Sequence, residues 1–97
     1  MLEFKDLKFE TRGYGGVGAT HTFENGLTIS VQAGSGPYST PRENLTSSDQ
    51  FSSFEVAMWD EDGEWVTKDF VPDAGDDVLG WQDRDEINTL MNKIQTK

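Results

Sequence analysis

The stretch VGATHTFENGLTISVQA, residues 17–33, decides how this chain folds. Val17, Ala19, His21 and Phe23 recur at period two, Glu24-Asn25-Gly26 follows, and Leu27, Ile29, Val31 and Ala33 then alternate with Thr28, Ser30 and Gln32. Successive side chains of a strand point to opposite faces, so this alternation predicts two half-buried strands, each with one solvated face. Asn-Gly tolerates the positive φ angles of the tight turns whose twist suits an antiparallel pair, and the two strands are expected as a hairpin.

On the N-terminal side, Gly13-Tyr14-Gly15-Gly16-Val17-Gly18 breaks the chain. Before it, Leu2/Phe4 and Leu7/Phe9 alternate with a slip of phase at Lys5-Asp6, which reads as a bulged or bent strand over residues 2–9. On the C-terminal side, residues 34–50 contain Gly-Ser-Gly-Pro, Pro41 and many hydroxyl residues, the composition of a long loop. Phe54, Val56 and Met58 then share one face of a further strand, and Asp60-Glu61-Asp62-Gly63 turns the chain. Residues 64–70 are expected to return as the second arm of that hairpin, offering Val66 and Phe70 to the core. After Pro72 and Gly75, Asp76-Asp77-Val78-Leu79-Gly80-Trp81 reads as a connector pinned to the sheet by Val78, Leu79 and Trp81.

The C-terminal segment carries a helix signature. Asp83 stands where a cap is needed and Glu86 three residues later can reach back, a capping box with Asp in the Ser/Thr place. Ile87, Leu90, Met91 and Ile94 fall at i, i+3, i+4 and i+7 and form one apolar stripe. Acids in the first turn and Lys93 and Lys97 near the end match the helix dipole. The expectation is one α+β domain over residues 1–97: a four- or five-stranded antiparallel sheet with this helix packed on one face. A chain of 97 residues has no room for a multi-domain enzyme.

Charge narrows the function classes. The chain carries 18 acidic and 8 basic residues, a net charge of −10. Residues 1–42 balance four acids (Glu3, Asp6, Glu10, Glu24) against four bases (Lys5, Lys8, Arg12, Arg42), so residues 43–97 hold the entire excess. Residues 60–86 alone set eleven acids against Lys68 and Arg84, a net of −9. Such a surface repels a phosphate backbone, and direct nucleic-acid binding is not expected. The absence of cysteine excludes disulfides and thiolate metal sites. No apolar run reaches the ~20 residues of a membrane span. The N-terminal residues lack the basic start and apolar stretch of a signal peptide, so an intracellular, cytoplasmic location is expected. Asn44-Leu45-Thr46 matches a glycosylation acceptor without that secretory context.

Motifs for catalysis or cofactors do not hold up. Gly13-x-Gly15-x-x-Gly18 has the spacing of a dinucleotide fingerprint but leads into a strand rather than a helix, so a hairpin loop accounts for it. Asp60, Asp62 and Gly63 share residue types with a calcium loop, yet position twelve counted from Asp60 is Val71 where a bidentate Glu is required. An acidic hairpin turn explains them. His21, the single histidine, has no sequence partner for a zinc site or a nucleophilic triad. Adjacent acids such as Asp76/Asp77 and Asp85/Glu86 fit solvated or capping roles. No catalytic, cofactor-binding or metal-ligating residue is assigned, and the chain is expected not to be an enzyme.

What remains is an acidic surface with aromatics set into it. Trp59 and Trp65 flank the turn containing Asp60, Glu61, Asp62 and Glu64, and Asp69, Asp73, Asp76 and Asp77 extend the charge, with Trp81 between Asp77 and Asp83. Large aromatics rimmed by charge are a pattern of protein-binding hot spots, and an acidic face steers toward basic partners. Those ten residues from Trp59 to Asp77 are the candidate partner-binding set. The competing reading is that the tryptophans fill the core and the acids maintain solubility.

Phe23-Glu24-Asn25-Gly26 with Ser30-Val31, Glu55-Val56-Ala57, Asp76-Asp77-Val78-Leu79-Gly80-Trp81 and Asp85-Glu86-Ile87-Asn88 resemble pieces of small acidic accessory proteins of tailed bacteriophages. The similarity covers roughly residues 22–94 and rests on short motifs. The resemblance implies a phage context in which compact acidic proteins inhibit host defence, as anti-CRISPR and anti-restriction proteins do. The expected function is thus an inhibitor that binds a basic host protein or ribonucleoprotein complex, such as a CRISPR effector or restriction nuclease, its carboxylates imitating phosphates. A small-ligand or nucleotide-binding accessory protein using the glycine loop and Tyr14, or a phage structural or assembly component, are the alternatives.

Overall fold

The hairpin forms with the register that its alternation requires. In a computed structural model, which describes residues 2–13 and 15–97, Val17–Thr22 pairs antiparallel with Thr28–Ala33. The Asn25-Gly26 turn lies between them, Gly26 at φ 86°. The chain adds Glu10–Thr11 before this pair, and Phe54–Trp59 and Val78–Gln82 after it. These strands, β1 to β5 in chain order, form one antiparallel sheet in the order β1-β2-β3-β4-β5. A short helix α1, Thr67–Phe70, joins β4 to β5, and α2, Arg84–Gln95, ends the fold.

The core lies on one face of the sheet. Val17, Ala19 and His21 oppose Ala33, Val31 and Ile29, and Ile29 and Val31 in turn oppose Met58 and Val56. Against this face α2 buries Ile87, Leu90, Met91 and Ile94, the stripe expected from sequence. Each such aliphatic side chain contributes roughly 1.5–3 kcal/mol of transfer free energy. The capping box is present: Asp83 accepts from Glu86 N–H at 2.8 Å and Glu86 accepts from Asp83 N–H at 3.0 Å.

Residues 2–9 do not make the expected strand. Glu3 and Asp6 cap a single 3-10 turn, Phe4–Asp6, and the phase slip at Lys5-Asp6 is that turn. Phe4 is thereby driven into the core, its ring 5.1 Å from Phe54 and 5.4 Å from Phe9. The segment is tied to α2 by Asn88, which accepts from Phe4 N–H at 2.6 Å, and by Gln95, which accepts from Leu2 N–H at 2.9 Å and donates to its carbonyl at 2.8 Å.

The second hairpin is also cut short. Residues 64–70 do not return as a strand, because β5 occupies the same edge of β4 from Phe54 to Ala57. Only the end of β4 is left to the returning chain, which makes one bridge, Trp59 to Trp65, through Val66 N–H to the Met58 carbonyl and Asp60 N–H to the Glu64 carbonyl, both at 2.9 Å. The fully buried Thr67 then supplies its hydroxyl to Met58 N–H at 3.1 Å, and α1 begins. By the same pairing residues 78–82 form a strand, not a connector, and Trp81 points outward, 55% exposed. No helix of the described residues is long and apolar enough to cross a membrane.

Candidate aromatic and acidic binding surface

Alternation leaves the other sheet face to small and polar residues. Thr20 opposes Ser30, Thr22 opposes Thr28, Ser30 opposes Ala57 and Thr28 opposes Trp59. Because Met58 faces the core, Trp59 takes the outer face and is half-buried there. Its cross-turn partner Trp65 is 52% exposed, and the two indoles meet edge to face at 5.7 Å and 88°.

The turn between them is held by one carboxylate. Asp60 Oδ1 accepts from Asp62 N–H at 3.0 Å and from Glu64 N–H at 2.9 Å, while Gly63 adopts φ 80°. That geometry accounts for the Asp-x-Asp-Gly run without a cation. Glu61, Asp62 and Glu64 are exposed at the tip. Glu61 also leans across the neighbouring hairpin: its Oε2 lies 3.0 Å from where a β-carbon would stand on Gly26. Between the two turns lies a groove of about 390 Å³ lined by Thr22, Gly26, Thr28, Trp59, Asp60, Glu61 and Gly63.

The remaining acids expected at the site are dispersed. Asp69 lies on α1, which contacts both β4 and α2, and Asp73 is exposed in the segment that follows. Asp76 accepts from Asp77 N–H at 2.7 Å ahead of β5, with Asp77 half-buried. The structure thus brings Trp59, Asp60, Glu61, Asp62, Glu64 and Trp65 into one feature and spreads Asp69, Asp73, Asp76 and Asp77 over the segment joining β4 to β5.

Among the described residues, no Lys or Arg forms an ion pair with the carboxylates of this surface. Among the described residues the one ion pair within 4.0 Å is Lys5 to Glu3, at 3.7 Å on the exposed N-terminal turn. Arg84 donates to the carbonyls of Phe51 and Ser48 at 2.8 and 2.9 Å and lies 5.1 Å from the Phe4 ring and 5.2 Å from that of Phe54. Arg42 sits 5.0 Å over Tyr38, and Lys97 sits 5.1 Å over Phe70.

A second exposed aromatic group escapes the sequence pattern. Tyr38, from the 34–50 loop, stacks on Trp81 at 5.0 Å and 29°, and its carbonyl accepts from Trp81 N–H at 2.9 Å. Trp81 is held at φ 54°, unusual for a bulky residue, beside the register shift between β4 and β5. Gly80 within a strand run was the available signal, since an isolated glycine there often marks a bulge or a close backbone approach.

The glycine loop has a local explanation. Gly15 and Gly16, at φ 104° and 75°, link β1 to β2, and a β-carbon on Gly16 would collide with the Ala33 carbonyl oxygen. Tyr14, named in the nucleotide-binding alternative, lies outside the described residues. His21 is half-buried with its ring 4.8 Å from Phe23, edge to face. No family model, curated protein or solved structure matches this chain.

Proposed function

We propose that this chain is a non-enzymatic binding protein whose acidic surface engages a basic surface of another protein, with Trp65 as the exposed anchor. The observation that carries this reading is charge without compensation: among the described residues none of the eleven carboxylates in residues 60–86 forms an ion pair. Uncompensated charge of one sign accelerates encounter with the opposite sign, and an exposed tryptophan within it supplies apolar contact area. The partner class that fits is a protein that itself holds a phosphate backbone, such as a nuclease or ribonucleoprotein of a bacterial host. The phage inhibitor context derives from the resemblance of the short motifs alone.

The test uses tagged protein in bacterial lysate at low and high salt, with nucleic acid added as competitor. A specific partner that is retained at low salt and displaced by nucleic acid is the expected result. Because Asp60 holds the turn, charge is reversed at Glu61→Lys, Asp62→Lys and Glu64→Lys, which is expected to abolish capture. Binding that ignores both this triple change and salt overturns the proposal.

A further inference from the structure

The geometry points to a guanidinium site in the groove between the two hairpin turns, its occupant an arginine side chain of the basic partner; this rests on the function proposed above and names where the contact is made. The groove opens on the sheet face away from α2. Thr22 and Thr28 form one side of it, their hydroxyls 2.9 Å apart, and Trp59 stands as an indole wall braced edge to face by Trp65. Asp60 and Glu61 supply two carboxylates. Asp60 is fixed by the turn bonds, and Glu61 is set against Gly26, where the missing β-carbon leaves room for its carboxylate. The anionic groups are therefore positioned by packing and backbone bonds, and among the described residues no Lys or Arg pairs with them.

A guanidinium is planar and weakly hydrated, so it stacks on an aromatic wall while its N–H fork addresses a carboxylate; an ammonium offers only a point charge. Within this molecule Arg42 and Arg84 already rest on rings. Among the described residues no Lys or Arg is placed over Trp59 or Trp65. The groove combines the aromatic wall with the charge, and the partner supplies the cation.

Amide and indole NMR titrations with hexa-arginine and hexalysine peptides test this. Hexa-arginine is expected to shift Trp59, Thr22 and Thr28 while leaving Trp81 in place, and to bind more tightly than hexalysine. Glu61→Gln is expected to weaken hexa-arginine roughly 3- to 10-fold, the size of one stacked and paired cation. Asp62→Asn removes the same charge from the turn tip outside the groove, and its effect is expected to stay below about 2-fold. Dispersed amide spectra verify that both variants fold. Equal losses in the two variants, or equal binding of the two peptides, overturn the groove site and leave the electrostatic reading standing. No binding of either peptide at low salt overturns both.

Discussion

The Tyr38 side chain occupies the space that a side chain on Gly80 would need: a β-carbon there would stand 2.8 Å from Tyr38 Cβ. The 34–50 loop is seated on β5 at this point, and the Trp81 ring is stacked on Tyr38 as a consequence. Gly80→Ala is expected to unseat the loop and destabilise the protein by about 1–3 kcal/mol, the cost of an overpacked contact. Urea denaturation measures the loss, and a change in Trp81 fluorescence locates it. Unchanged stability would mean that the loop is not anchored there.

Thr67 replaces a backbone partner with a hydroxyl. Thr67→Val keeps the shape but leaves the buried Met58 N–H without its 3.1 Å acceptor. A loss of about 1–3 kcal/mol is expected, whereas Thr67→Ser is expected to retain most of the bond. Comparing the two by thermal denaturation separates the hydrogen bond from the packing.

Asp83→Ala removes the helix cap that bonds Glu86 N–H at 2.8 Å. Stability is expected to fall by about 1 kcal/mol, and Asp83→Asn by less, because asparagine caps nearly as well. Chemical denaturation followed by far-ultraviolet circular dichroism checks the order of the three proteins.

Salt is expected to stabilise this protein. A net charge of −10 repels itself, and the screening length falls from about 10 Å at 0.1 M salt to about 3 Å at 1 M. The melting temperature in sodium chloride is expected to rise with concentration. A falling melting temperature would show that attractive pairs dominate the surface.

The hairpin of residues 17–33 and the capped helix α2 were legible in the sequence because each depends on neighbours a few residues away. Alternation assigns faces, Asn25-Gly26 permits the turn, and Asp83 with Glu86 closes the helix start. The proximity of Trp59, Asp60, Glu61, Asp62, Glu64 and Trp65 was legible for the same reason, since they belong to one short turn, whereas Thr22, Gly26 and Thr28 reach the groove from the neighbouring hairpin. Residues 2–9 and 64–70 were misread because strand-like alternation cannot report competition for an edge or a local cap. The capping by Glu3 and Asp6 made one a turn, and β5 displaced the other from β4.

By itself the sequence determined the α+β class, the central hairpin, the helix and the accumulation of negative charge in residues 60–86, all properties of composition and short-range period. Only the tertiary structure decided that Gly26 and Glu61 meet across two turns and that Tyr38 lies on Gly80. It also decided that Arg84 reaches the carbonyls of Phe51 and Ser48 and that Lys97 lies over the Phe70 ring. Such contacts join residues tens of positions apart, and their geometry is set by which strand wins each sheet edge.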